Sequence, residues 1–176
     1  MYISTLEFLP PSLFYHNVLN STAKAVGLKV NSTHQDRNTK KIYLILDSGK
    51  AWQPLEDTRY NNSLLQAMQI AFELKLEVHV FHDAPKDTKE PKRVTVKHTF
   101  KDNNDKEYVI TAHEPIEDNP EESLKRAIVF VACTYGIYLE DMEKGKNFQH
   151  NKRIIEYVFN DKKSTTKLRE VKRKEK

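Results

Sequence analysis

Residues 94–113 read VTVKHTFKDNNDKEYVITAH, and this stretch decides the fold. Two runs in which apolar and polar residues alternate, 94–100 and 108–113, flank a segment at 101–106 that is rich in Asn and Asp. Alternation with a period of two is typical of a half-buried strand, and Asn and Asp favour tight turns. The stretch therefore predicts a β-hairpin.

The register of this hairpin follows from its apolar pattern. Pairing Phe100 with Tyr108 places the large and apolar residues on one face: Val94, Val96, His98, Phe100, Tyr108, Ile110 and Ala112. A slip of one residue would bring polar side chains into that face, so we predict the Phe100–Tyr108 register. It places His98 and His113 on opposite faces, which argues against a site that uses both.

A long helix is predicted after the hairpin. Asn119 and Pro120 stand at its start, and Glu121 and Glu122 lie in the first turn, where acids complement the helix dipole. Apolar residues then recur at helical spacing: Leu124, Ala127, Ile128, Val131, Ala132, Tyr135 and Leu139. The width of this stripe predicts a central helix.

Shorter patterns place the remaining elements. Helices are predicted over 13–26, 62–75 and 148–159, strands over 42–46 and 77–81, and loops over 31–39 and 83–91. The order predicts the α+β class, a layered sandwich in which helices pack on a small, mainly antiparallel sheet. We expect the apolar stripes of the helices to cover that sheet, and any stripe left uncovered to serve a partner.

Positive charge is concentrated near the end of the sequence. Residues 161–176 contain eight Lys and Arg against three acids, a net +5, whereas the whole chain carries +4 and residues 1–160 therefore carry −1. We predict a single α+β domain over 1–160 and a basic, flexible tail over 161–176. The near-neutral body argues against a domain that binds nucleic acid with its entire surface.

Composition excludes several classes of protein. The single Cys133 cannot form an internal disulfide, and we expect a buried, inert thiol on the apolar stripe of the long helix. The four glycines are scattered, which excludes a P-loop and a dinucleotide-binding fingerprint. No apolar run reaches the roughly 18 residues that a membrane span needs. We expect no cofactor, no membrane association and a reducing cytoplasm.

Two short motifs resemble those of a family of small phage proteins. The first, Trp52-Gln-Pro54-Leu-Glu-Asp57, precedes a predicted helix, and the second, Arg126-Ala-Ile-Val129-Phe-Val-Ala132, lies within one. With the strands between them, they resemble the phage ABA-sandwich family over residues 42–139. The resemblance implies a phage origin, a location in the host cytoplasm and little chemistry, since the family is generally without an assigned activity.

The motifs supply three candidate ligand-binding residues, Trp52, Asp57 and Arg126. Trp52 is the only Trp and offers a ring on which a nucleotide base could stack. The alternative, which we favour, is that Trp52 anchors a loop on the core.

Acidic residues ahead of two helices form another candidate site: Glu56, Asp57, Glu114, Glu117 and Asp118. Converging carboxylates could hold Mg²⁺ for phosphoryl chemistry in a metal-dependent hydrolase. We favour the alternative that these acids complement helix N-termini. His79 and His82 point to opposite faces of a strand, so we expect no metal site there either.

The tail supplies the candidate nucleic-acid-binding residues: Lys162, Lys163, Lys167, Arg169, Lys172 and Arg173. A basic arm of this kind binds phosphate backbones with an affinity that falls steeply with salt. The alternatives are a solubilising tail or a short charged helix. In addition, Leu124-Lys-Arg-Ala127 with Tyr135-Gly-Ile-Tyr138 resembles a helix of phage single-strand annealing proteins.

Three functional hypotheses follow from the sequence. The first is a small phage accessory protein, without catalysis, that binds a host or phage protein, a nucleotide-type ligand or another copy of itself. The second is a nucleic-acid-binding protein that uses the basic tail, with single-strand annealing as one form of it. The third, which we rank last, is a metal-dependent hydrolase.

Overall fold

The computed structural model describes residues 11–81, 92–116, 118–145 and 165–171. The helices are α1 (Pro11–Ala25), α2 (Ser63–Glu73) and α3 (Pro120–Glu143). The strands are β1 (Val30–Gln35), β2 (Ile42–Leu46), β3 (Ala51–Trp52), β4 (Glu77–Phe81), β5 (Arg93–Lys101), β6 (Glu107–Pro115) and β7 (Thr165–Glu170). The predicted α+β class is confirmed. The predicted loop at 83–91 and helix at 148–159 lie outside the described residues.

The first sheet is small and antiparallel, in the order β1-β2-β3. The predicted strand at 42–46 is confirmed, but the prediction of a loop over 31–39 is wrong for its first part, because Val30–Gln35 pairs with β2. Most side chains of β1 are exposed, so its polar composition hides a strand whose order comes from backbone pairing rather than from an apolar face.

The second sheet has four antiparallel strands in the order β4-β5-β6-β7. Its centre is the predicted hairpin, and the Phe100–Tyr108 register is confirmed. Val94, Val96, Ile110 and Ala112 are all fully buried on one face. Alternate residues of each strand point to the same side of the sheet, so these four residues form one face. That face packs against α3.

The segment that was expected to be a flexible tail contributes a strand to this sheet. Thr165–Glu170 pairs with β6 throughout, with Ile110 opposite Leu168 and Tyr108 opposite Glu170. Leu168 is half-buried and packs against the core. The prediction of a tail was wrong over these six residues, because the unpaired edge of β6 offers hydrogen bonds that the composition of the segment does not reveal.

Helix α3 is the centre of the core, as its wide stripe predicts. Asn119 caps its start by accepting a hydrogen bond from the Glu121 N–H at 3.0 Å, and Ala127–Cys133 is buried without interruption. Helix α1 crosses α3 so closely that a Cβ on Gly136 would lie 1.8 Å from the carbonyl oxygen of Ser21. Gly136 is therefore explained by helix packing.

Candidate functional site

Helix α2 exposes most of its large apolar side chains. Phe72 is 82% exposed, Leu65 59% and Met68 45%. The residues that it buries are small, apart from one: Ser63, Ala67, Ile70 and Ala71. The expectation that the stripe of this helix covers the sheet is therefore wrong in part, because α2 is apolar on two faces and α3 takes only the one lined by small residues.

Strand β4 continues this apolar surface. Val78 and Val80 pair with Val96 and Val94 of β5 and point to the same side of the sheet. The two valines of β5 are fully buried, whereas those of β4 are exposed. The sheet thus extends one strand beyond the cover that α3 provides. A shallow groove lies between α2 and β4, and its lining includes Leu65, Met68, Phe72, Leu76 and Val78.

We call the exposed residues of this region the α2–β4 surface: Leu65, Met68, Phe72, Val78 and Val80. Among the described strands, β4 stands at the end of its sheet and pairs with β5 alone. Its other edge can accept a further strand through backbone hydrogen bonds. The surface therefore combines exposed apolar side chains with a strand edge on which no other described strand lies.

A polar network holds α2 in place beside α3. Asp57 accepts hydrogen bonds from the backbone N–H of Ser63 at 2.8 Å and from its hydroxyl at 2.7 Å. The Nζ atom of Lys125 donates to the Ser63 hydroxyl at 3.0 Å and lies 2.6 Å from Oε1 of Glu122. Ser63 and Lys125 are buried, so the network connects the first turns of the two helices inside the protein.

The charges of this network are matched. The hydrogen bonds from Ser63 hold the pKa of Asp57 below its ordinary value, since a carboxylate that accepts hydrogen bonds is favoured in its charged form. The buried ammonium of Lys125 has both a carboxylate and a hydroxyl as partners. A buried lysine is tolerated only with such partners. The arrangement fixes the position of α2 and, with it, the α2–β4 surface.

The structure places Trp52 in the core. Its side chain is 4% exposed, and the residue pairs with Leu44 of β2, which is fully buried. The next residue, Gln53, is also buried and hydrogen-bonds to the Ile42 carbonyl oxygen and the Leu55 N–H. These contacts give Trp52 the anchoring role that we favoured, and a base could stack on its ring only after the core had opened.

Asp57 lies in the segment before α2, and Arg126 lies in the second turn of α3. Asp57 is linked through Ser63 to Lys125, whereas Arg126 places Nε 3.6 Å from Oε2 of Glu114 and its guanidinium over the ring of Phe130. Of the acids proposed to hold a metal, Glu114 is thus buried beside a cation. No group of three or more potential metal ligands occurs within the described residues.

The tail candidates are only partly described. Lys162, Lys163, Lys172 and Arg173 lie outside the described residues. Lys167 and Arg169 lie on β7, opposite Thr111 and Val109 of β6, and Arg169 is exposed. Removal of residues 161–176 would therefore delete a strand as well as charge, and it does not isolate the contribution of the charge.

Two buried titratable groups belong to the core rather than to a site. Cys133 is buried, as predicted, and the loss of solvent raises the pKa of its thiol to about 12. His98 is buried between Phe100 and Tyr135, with its ring centroid 4.5 Å from that of Tyr135. The loss of solvent lowers the pKa of His98.

Comparison with known proteins gives no neighbour for this chain. No family model, no curated protein and no solved structure matches it. Within the described part of the chain, none of the helices has the length and apolar character that crossing a membrane requires.

The sequence of α2 indicates the α2–β4 surface once its apolar residues are assigned to two stripes instead of one. Leu65, Met68 and Phe72 follow helical spacing, but so do Ala67, Ile70 and Ala71. One helix with two apolar stripes has one stripe more than a single packing contact can bury. The pairing of Ser63 with Lys125 gave no such sign, because the two residues are 62 positions apart.

Proposed function

We propose that this protein is a small phage accessory protein that acts by binding, and that its principal binding site is the α2–β4 surface. The observation that carries the proposal is the exposure of Phe72 beside an open strand edge. Exposure of a large apolar side chain to water is unfavourable in free energy, and a partner that covers the side chain removes this unfavourable contribution. We place its action in the host cytoplasm, in line with the resemblance to phage proteins.

The occupant we propose is a second copy of the chain, because the sequence of β4 is complementary to itself. In an antiparallel pair of two copies centred on Val78, each Glu77 lies opposite His79 of the second copy. Val78 then lies opposite its own counterpart, and Val80 opposite Leu76. Carboxylate meets imidazole on one face and apolar meets apolar on the other, as stable cross-strand pairs require. Centring the pair on His79 would instead place Glu77 opposite Phe81.

The free energy gained by apolar burial in such a pairing is of the same order as the cost of association. Taking a large apolar side chain fully out of water contributes about 1.5–3 kcal/mol. The five side chains of the α2–β4 surface are already partly covered, so ten of them in two copies contribute on the order of 10 kcal/mol. Association costs about 4–15 kcal/mol. Strand hydrogen bonds add to the favourable side, so we propose a dimer that dissociates on dilution.

Nucleic-acid binding is the second candidate function. The net +5 of residues 161–176 and the exposed side chain of Arg169 support it. Single-strand annealing is one activity that such binding would serve. A host protein or a nucleotide-type ligand on the α2–β4 surface, and hydrolysis with a metal, remain hypotheses with less support.

A matched pair of methionines tests self-association. Met68 is 45% exposed and lies on the α2–β4 surface, whereas Met142 is 44% exposed and lies at the end of α3. We expect Met68→Ser to weaken the dimer, because Met68 lies on the proposed interface, and Met142→Ser to leave it unchanged. The two variants are matched because each removes a methionine side chain of nearly equal exposure. Light scattering after size exclusion, over a range of concentrations, measures the mass of each variant.

The outcomes separate self-association from the other occupants. A mass near twice 20.6 kDa for the wild-type chain, which falls in Met68→Ser alone, supports the proposal. A monomer at every concentration contradicts it, and so does a dimer that the two variants weaken equally.

A further inference from the structure

The first sheet carries a row of aromatic rings away from the core. His34 of β1 and Tyr43 of β2 are direct cross-strand partners, and their ring centroids are 5.8 Å apart with the planes within 20° of parallel. Tyr60 continues the row, with its centroid 5.6 Å from that of Tyr43. Helix α1 and the core lie on the other side of the sheet, where Leu44 is buried.

The row is open to solvent. His34 is exposed, Tyr43 is half-buried and Tyr60 is 52% exposed. Ser32 places its hydroxyl 2.9 Å from Nε2 of His34 and so supports the ring from the same strand. Rings that are held in position and remain partly exposed to solvent can stack with another planar ring.

One cation contacts this row, and two more lie in the turn that joins its strands. The guanidinium of Arg59 lies over the ring of Tyr60, 4.7 Å from its centroid. The turn between β1 and β2 adds Arg37 and Lys40, both of which are exposed. The acid in that turn, Asp36, is buried and accepts hydrogen bonds from the N–H groups of Asn38 and Thr39. Its Oδ2 also lies 3.5 Å from Nε of Arg59, so this acid offsets one of the three cations, and Arg37 and Lys40 add positive charge beyond that pair.

We propose that this face binds single-stranded nucleic acid. Nucleobases stack on His34, Tyr43 and Tyr60, and Arg37, Lys40 and Arg59 contact the phosphates beside them. Aromatic rings in a row bordered by cations are the common device of proteins that bind single strands without strong sequence preference. A duplex keeps its bases stacked inside and offers no face to these rings. The site shares no residue with the α2–β4 surface or with the tail candidates, and it does not rest on self-association.

Fluorescence anisotropy with labelled oligonucleotides tests the proposal on the full chain. The probes are an oligo-thymidine strand, an oligo-uridine strand, an abasic strand of equal length and a duplex. We expect both single strands with bases to bind more tightly than the abasic strand and the duplex. The logarithm of the affinity should fall with the logarithm of the salt concentration with a slope of about −2, for roughly three phosphates.

Variants with matched controls assign the binding to this face. We expect Tyr60→Leu to weaken binding of the oligo-thymidine strand by about fivefold to a hundredfold, because one stacked base is lost, and Tyr60→Phe to retain it. Lys40 and Lys106 lie in the turns of two different hairpins, and both are exposed. Lys40→Gln should weaken binding, whereas Lys106→Gln removes the same charge elsewhere and should change binding little.

The inference is overturned by any of three results. These are no binding at low salt, an abasic strand or duplex that binds as tightly as oligo-thymidine, or wild-type affinity in Tyr60→Leu. Circular dichroism of each variant confirms that it is folded. Preference for uridine over thymidine, or the reverse, assigns RNA or DNA as the ligand, and either assignment supports the proposal.

Discussion

The β5–β6 hairpin and the α2–β4 surface have similar apolar patterns but opposite surroundings. Val94 and Val96 of β5 are fully buried beneath α3, while their neighbours Val80 and Val78 on β4 are exposed. The four valines point to the same side of one sheet. The difference shows that an apolar pattern specifies which face of a strand is apolar, but not whether the described part of this chain covers it.

The largest expected difference between the two regions is in the stability lost when an aliphatic side chain is truncated to alanine. Ile110 is fully buried in the hairpin, and we expect Ile110→Ala to lower the free energy of unfolding by about 2–5 kcal/mol. Leu65 is 59% exposed, so Leu65→Ala should change the stability of the monomer by about 0.5 kcal/mol or less. Urea denaturation at a concentration that favours the monomer measures both. Equal losses would show that Leu65 is buried in the monomer.

The network around Ser63 joins α2 to α3, the helix that covers the hairpin. Ser63→Ala leaves the buried ammonium of Lys125 without its hydroxyl partner. It also removes the hydrogen bond from the Ser63 hydroxyl to Asp57. We expect a loss of about 1–3 kcal/mol in the free energy of unfolding. Adding Lys125→Met should recover part of that loss, because the double variant no longer buries an under-satisfied charge. A double variant less stable than Ser63→Ala would contradict this account.

The smallest expected effect is on the pH dependence of stability, through His98 of the hairpin. Because burial lowers the pKa of His98 from its ordinary value of 6.5, the unfolded chain takes up a proton before the folded chain does. Stability is therefore full above about pH 6.5 and is lost as the pH falls toward the folded pKa. We expect His98→Leu to flatten the dependence of the melting temperature on pH between about 7 and 5.5. A melting temperature that depends on pH as steeply in His98→Leu as in the wild-type chain would contradict the prediction.

Patterns in the sequence predicted the elements that carry apolar runs or stripes, whether or not the structure buries those side chains. The hairpin register, α1, α2, α3 and the strands at 42–46 and 77–81 all follow from apolar periodicity. β1 and β7 were missed because their order comes mainly from backbone pairing, which leaves little trace in composition. The contacts of Ser63 with Lys125 and of Tyr43 with Tyr60 depend on how distant segments meet, so no local pattern predicts them.

The central claim is that a second copy covers the α2–β4 surface. Sedimentation equilibrium of the wild-type chain beside Val78→Lys tests it most directly, because a lysine at the centre of the proposed strand pair places two like charges opposite each other. The account predicts a monomer–dimer equilibrium for the wild type and a monomer for Val78→Lys, with unchanged circular dichroism. A wild-type chain that stays monomeric at every concentration, or a Val78→Lys variant that dimerises equally well, would contradict it.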